Sequence, residues 1–288
     1  MEEIKKKVLV LGSSGMLGHM VSSYLNSHNR YEIFNLSRRS IGQINNIICD
    51  ITDLNKFDKI INTIKPQVVV NCIGLLINES KNNFEQAKYI NSYLPKHLIK
   101  ISNNRFRVIH ISTDCVFSGK HGSYNEYSKK DANDAYGITK SDGEFDLPKH
   151  LTIRTSIIGP DINKDGSGLF QWLLNQRGKV KGFSNVKWSG VTTLELSKAI
   201  DFAINNSIDG LWNLSNQEEI SKFELLKIII NLFELDQVTL TKDSSIKSNK
   251  SLVSVRKIKY IVPSYTSMIT ELKEFICTSN SYKKNFLK

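Results

Sequence analysis

Through the first 160 residues, short wholly apolar runs alternate with stretches whose apolar positions recur every three or four residues. Val8–Leu11 has the look of a buried strand. Met16, Leu17, Met20, Val21, Tyr24 and Leu25 follow at helical spacing. Tyr31–Leu36 and Ile47–Cys49 predict the second and third strands. Leu54–Ile64 predicts a helix stopped by Pro66, and Val68–Cys72 a fourth strand. Phe84–Ser102 predicts one long helix kinked at Pro95. Arg107–Ser112 is a fifth strand; a helix over Tyr136–Phe145 leads to a sixth at Leu151–Thr155. This alternation builds a parallel sheet covered on both faces, and right-handed crossovers make it doubly wound.

After Gly159 the rhythm breaks. Residues 160–190 hold one amphipathic stretch, Leu169–Leu174. A helix is expected at Val191–Asn205, a returning strand at Gly210–Ser215, and helices at Phe223–Phe233 and Ser267–Ile276. The expected division assigns residues 1–159 and 190–215 to a dinucleotide-binding domain. Residues 160–189 and 216–288 then form a small substrate-binding lobe capping the sheet.

Composition changes this picture little. The net charge is +11, but residues 241–288 hold ten Lys/Arg against three Asp/Glu, so +7 of it sits in the last sixth, ending in a frayed 282–288 tail. Charge spread singly among Ser, Asn and Ile argues against nucleic acid and leaves room for an anionic small molecule. No apolar run is long enough for a bilayer, and the start lacks a signal-peptide pattern, so a cytoplasmic protein without a membrane partner is expected. Cys49, Cys72, Cys115 and Cys277 are scattered without metal spacing and predict neither a disulfide framework nor a metal.

Gly12-Ser-Ser-Gly15-Met-Leu-Gly18 lies between the first strand and the first helix. Gly12 permits a tight turn, Gly15 lets a pyrophosphate approach the backbone, and Gly18 allows the helix close to the sheet. The helix N-terminus supplies free N–H groups. Ser14, Met16 and Leu17 complete this expected Rossmann phosphate turn. An acidic residue ending the second strand would select NAD; the chain instead has Ser37-Arg38-Arg39, which suits the 2′-phosphate of NADP(H). Asp50 and Ile51, and Asn71-Cys72-Ile73-Gly74, end the third and fourth strands along the expected cofactor path.

Tyr136 and Lys140 are placed at i and i+4 on one helix face. The spacing predicts an ammonium that lowers the phenol from its usual pKa of about 10 and readies it to protonate a carbonyl oxygen. Thr113, ending the fifth strand, would donate to the same oxygen.

Gly12–Gly18, Ser112-Thr-Asp-Cys-Val-Phe117, Tyr136-Gly-Ile-Thr-Lys140, Arg154-Thr-Ser156, Gly190-Val-Thr-Thr193 and Gly210-Leu-Trp-Asn213 together resemble the extended short-chain dehydrogenase/reductases, in particular the dTDP-4-dehydrorhamnose reductase family. The resemblance implies 4-keto reduction of a nucleotide-linked 6-deoxy sugar by Thr113, Tyr136 and Lys140, with Lys140 also holding the nicotinamide ribose. It implies that Asn91 completes the site and that Val116 and Phe117 lie near the sugar. Ile157 stands where rhamnose reductases commonly carry Trp, and Cys115 where Tyr is usual. The segments around Lys187-Trp188 and Lys250 look more like reductases of UDP-linked 2-acetamido-6-deoxyhexos-4-uloses; there Trp188 would stack on sugar or base, and Lys187, Lys250 and Arg256 would bind the diphosphate. The competing expectations are an epimerase holding NAD and a cofactor-binding regulatory subunit like that of methionine adenosyltransferase. A homodimer stays open.

Overall fold

The computed structural model describes residues 4–40, 45–162, 168–279 and 282; the expected tail after 282 lies outside them. In chain order the elements begin β1 (Lys6–Leu11), α1 (Met16–Asn26), β2 (Tyr31–Ser37), β3 (Asn46–Ile48), α2 (Leu54–Ile64), β4 (Val68–Asn71), α3 (Ile77–Asn82) and α4 (Phe84–Ala87). A π-helical turn (Lys88–Tyr93) leads into α5 (Leu94–Ser102), β5 (Arg107–Thr113), a 3₁₀ turn (Asp114–Val116), α6 (Ala135–Gly143) and β6 (Leu151–Thr155). Then come β7 (Ile157–Ile158), α7 (Leu169–Leu174), β8 (Gly178–Phe183), β9 (Val186–Trp188), β10 (Val191–Thr192), α8 (Thr193–Asn205) and β11 (Gly210–Asn213). The chain closes with β12 (Ile220–Ser221), α9 (Lys222–Leu232), β13 (Val238–Asp243), β14 (Ser248–Asn249) and α10 (Tyr265–Thr278).

Seven parallel strands form the central sheet in the order β11-β6-β5-β4-β1-β2-β3. Successive side chains of a strand face opposite ways, and here both faces are covered. Val8 and Val10 point into a core shared with Met20, Val21, Ala199 and Ile200 of α1 and α8. Leu9 and Leu11 point into a second core with Phe57, Ile61, Leu94 and Leu98 of α2 and α5. The winding reverses between β4 and β1, and the crevice outside their carboxyl ends is where such sheets take ligands.

The helix expected over Phe84–Ser102 is interrupted before Pro95, not at it. Pro95 cannot donate to Asn91 O, so that carbonyl is free of the α-helical bond. Gly143 of α6 packs against it; a Cβ on Gly143 would lie 1.9 Å from Asn91 O. The π turn thus lets α6, the helix bearing Tyr136 and Lys140, close on the kinked helix.

Beyond β6, three small sheets appear that the apolar pattern does not announce: β10-β7, β12-β9-β14 and β13-β8. Val180, Trp188, Leu225, Ile229, Met268 and Leu272 share one continuous core with the face of the sheet that carries α1 and α8. The C-terminal segments are therefore fused to the sheet through common packing. Among the described residues, no helix is long and apolar enough to cross a membrane.

Candidate active site

The turn after β1 shows why its glycines stand where they do. Gly12 has φ +77°, a left-handed conformation that side chains disfavour. A Cβ on Gly18 would sit 2.2 Å from Gly12 O, so α1 starts against the turn's own backbone. Gly15 differs: its backbone is extended, and an added Cβ would meet only Gly12 O, at 3.4 Å. Its missing side chain leaves open approach instead of relieving a clash. This cradle of bare backbone and free helix N–H groups fits a pyrophosphate. His19, one turn on, donates from Nδ1 to Gly15 O at 2.8 Å, and its burial lowers its pKa.

From the turn, a cavity of about 200 Å³ extends along β2, β3 and β4, lined by Gly12, Ser14, Gly15, Ser37, Arg38, Asp50, Ile51 and Cys72–Gly74. Asp50 accepts from Thr52 N and Oγ1 at 2.9 and 2.8 Å, which holds its carboxyl below the usual range beside Arg38. Arg39 is exposed and does not line the cavity; its carbonyl accepts from Ser37 Oγ at 2.5 Å.

In the other direction lies a cleft of about 680 Å³, where Gly15, Met16 and Leu17 face Cys72–Gly74 and the ends of β5 and β6. Thr113, Tyr136 and Lys140 all open into it. Lys140 Nζ donates to Ile111 O at 2.7 Å, and Thr113 Oγ1 donates to Asp114 Oδ1 at 3.1 Å while accepting from Cys115 N. Burial lowers Lys140 to about 8, against the opposing pull of Glu144. Tyr136 goes the other way from the expectation drawn from spacing. Burial raises its phenol well above the usual value, the nearby Cys115 adds to that, and a hydrogen bond with Thr113 only partly offsets it. Desolvation dominates the shift, so the phenol is neutral at pH 7 and able to donate.

The family model described as the RmlD substrate binding domain matches residues 6–274. The chain belongs to that family. It is thus an extended short-chain dehydrogenase/reductase. Among curated relatives, the dTDP-4-dehydrorhamnose reductase of Aggregatibacter actinomycetemcomitans is 29% identical over 160 residues, covering 52% of this chain and 51% of that protein, about half its length. Methionine adenosyltransferase 2 subunit beta of Pongo abelii is 25% identical over 249 residues, 80% of this chain and 73% of that protein. Among solved structures, the dTDP-4-dehydrorhamnose reductase of Bacillus anthracis in complex with NADP superposes with a TM-score of 0.80 at 21% identity, covering 96% of this chain and all of that one.

Several residues expected at the substrate stand elsewhere in this family member. Val116 and Phe117 are fully buried in a small core with Tyr124 and Leu252, the Phe117 and Tyr124 rings stacked 4.1 Å apart. The 3₁₀ turn after Thr113 rolls them under the site. Trp188 is 3% exposed and packs in the main core, its carbonyl accepting from Tyr265 Oη at 3.4 Å. Arg256 donates to Asp209 O and Leu211 O at the amino end of β11, the opposite edge of the sheet from the cleft. Lys187 is 3.8 Å from Glu219. Lys250 does reach the neighbourhood, beside Asp114 and Cys115.

Asn91 and Asn71 are buried supports that line neither space. Asn91 Oδ1 accepts from Leu75 N at 2.9 Å, and its Nδ2 donates to Leu75 O and Thr139 Oγ1. It ties the loop after β4 to α6. Asn71 Oδ1 accepts from Ile73 N at 3.1 Å, shaping the turn that separates cavity from cleft. Ser112 faces away from Thr113: its hydroxyl donates at 2.5 Å to Glu144, which also holds Arg154 at 2.8 and 2.7 Å and Lys130 at 3.2 Å. Cleft residues not singled out from sequence include Leu76–Glu79 and Asp161. Each follows or ends the carboxyl end of β4 or β6, a position the ligand rule for wound sheets already marks.

Proposed function

We propose that the chain reduces the 4-keto group of a nucleotide-linked 6-deoxy sugar, UDP- or dTDP-linked, with NADPH as the hydride source. The observation that carries this reading is that Thr113, Tyr136 and Lys140 open into one cleft that runs on to the Gly12–Gly18 cradle. The named activity of the Aggregatibacter relative and the NADP bound in the Bacillus structure support it. Arg38, at the cavity wall, suits the 2′-phosphate. In this reading the sheet domain, 1–159 with 190–215, holds the cofactor, and 160–189 with 216–288 closes over the sugar.

Bound NADPH supplies hydride to the keto carbon. Tyr136, neutral through burial, gives its proton to the oxygen as negative charge develops there. The tyrosinate left behind is stabilised by the Lys140 ammonium and regains its proton from solvent. Lys140 is anchored by Ile111 O, which aims it along the same wall and leaves donors for the ribose hydroxyls. Thr113 Oγ1, placed by Asp114 and Cys115 N, pairs with Tyr136 and sets where the oxygen can lie.

The test is incubation with NADPH and a panel of UDP- and dTDP-4-keto sugars, following absorbance and resolving products by NMR. A C4 alcohol formed with equal NADPH consumption is expected; no oxidation with any member would overturn the reading.

A further inference from the structure

We propose that His110 is a positioning residue for the cofactor: through Asn71 it fixes the 72–74 segment that walls the cofactor cavity from the cleft. This assignment rests on the reading above for NADPH as the occupant of the cavity and does not depend on the sugar. Cys72, Ile73 and Gly74 line both spaces, so the place of this segment sets how the two meet.

The segment is held by two hydrogen bonds and one close contact. Cys72 N donates to Leu11 O, and Ile73 N to Asn71 Oδ1, both at 3.1 Å. The chain then lies directly against the phosphate turn. A Cβ on Gly12 would stand 2.9 Å from Ile73 Cγ1 and 3.3 Å from Cys72 C and Ile73 N. Any shift of Ile73 is therefore felt at Gly12.

A side-chain amide can present its oxygen or its NH₂, and only the oxygen can hold Ile73 N. His110 decides which. The register of β4 and β5 sets Asn71 directly opposite His110, and Asn71 Nδ2 donates to His110 Nδ1 at 3.1 Å. Nδ1 must be bare to accept, which puts the ring proton on Nε2.

The surroundings of His110 point the same way. It is fully buried, on the face of β5 that Val108 shares and that packs into the core of Leu9, Leu11 and Leu98. Its Nε2 has no hydrogen-bond partner among the described residues, so the ring leaves one polar group unsatisfied in an apolar place. An aliphatic residue would avoid that cost but could not accept from Asn71. Burial and the nearby Lys140 ammonium both hold the imidazole well below its usual range, in the neutral form that accepts.

The experiment is fluorescence titration of the full chain with NADPH and NADH, with Tm measured on the same samples. His110→Leu keeps the bulk and removes the acceptor. His110→Asn loses bulk but sets an amide oxygen near the place of Nδ1. His110→Leu should weaken both cofactors by about fivefold or more, the effect of stranding a buried donor. Their ratio should be kept, because Gly12 serves the pyrophosphate common to both. His110→Asn should recover most of the affinity even though its Tm is lower. A role in packing alone predicts the reverse order, and His110→Asn binding more weakly than His110→Leu overturns the proposal. So does His110→Leu affinity within about twofold of wild type, which leaves the cofactor reading intact. If His110→Leu fails to fold, the ring ¹⁵N spectrum of wild type decides. A bare Nδ1 and a protonated Nε2 are expected, and a proton on Nδ1 overturns the proposal. Wild type that binds neither cofactor would sink the cofactor reading and this role with it.

Discussion

Two alanine substitutions in the phosphate turn should have opposite consequences. In Gly18→Ala the new methyl would lie 2.2 Å from Gly12 O, 2.7 Å from Gly12 C and 2.9 Å from Ser13 Cα, all backbone. No rotamer relieves this, so α1 must move off the sheet, where Leu17, Met20 and Val21 are buried. Overpacking of this kind costs about 1–3 kcal/mol, and here the upper end is expected because the clashing atoms belong to a constrained turn. In a chain of this size that is a Tm loss of roughly 2–10 °C. In Gly15→Ala the methyl meets only Gly12 O at 3.4 Å, and Gly15 already has φ −91° and ψ 167°, which alanine adopts freely. Its stability should stay within about 0.5 kcal/mol of wild type. Yet the methyl stands in the approach to the bare backbone, so NADPH affinity should fall by about tenfold or more. Differential scanning calorimetry and NADPH fluorescence titration on the same samples separate the effects. Gly15→Ala with unchanged NADPH affinity, or Gly18→Ala with unchanged Tm, would refute the account of the turn.

Arg38→Ala should weaken NADPH by about 10–100-fold, the worth of a charge-assisted contact, and leave NADH little changed, as competitive titrations of the two cofactors would show; equal losses for both contradict the 2′-phosphate role. Glu144→Gln leaves the buried Arg154 guanidinium without its anion and strips Lys130 and Ser112 of theirs, so thermal unfolding should show a loss of about 3 kcal/mol. Lys140 is charged below about 8 and neutral above it, so kcat/KM should be flat near pH 7 and fall as pH rises through that value. A profile still flat at pH 9.5 would show that the ammonium is not needed in the free enzyme.

What sequence could reveal depended on where each element buries its side chains. Leu54–Ile64 was legible to the residue because its apolar face is regular, Asp53 caps its start and Pro66 follows its end. β1 and β4 were legible because both their faces are buried, which leaves continuous apolar runs. The β8–β13 pair was not. Lys179 and Lys181 alternate with a single buried Val180, and the partner strand lies about sixty residues on, so neither local run nor turn marks it. Pro95 gave a kink, but only the packing of Gly143 on Asn91 O shows that it takes the form of a π turn.

The same limit applies at the site. The glycine turn, Arg38, Thr113, Tyr136 and Lys140 could be placed because they sit at strand ends or on one helix, where short-range spacing suffices. Phe117 after β5 and the aromatic and basic residues of the C-terminal segments could not, since Phe117 or Trp188 in a core reads the same as either one in a cleft. The direction of the Tyr136 shift was misjudged for a related reason: spacing shows the lysine, whereas desolvation comes from the whole cleft.

The central claim is that Tyr136 gives the proton to a sugar ketone reduced by NADPH. Tyr136→Phe keeps the ring and removes only the hydroxyl, so NADPH affinity and Tm should hold while kcat for a UDP- or dTDP-4-keto-6-deoxyhexose falls by about 10²–10⁴-fold. Turnover by Tyr136→Phe equal to wild type would contradict it.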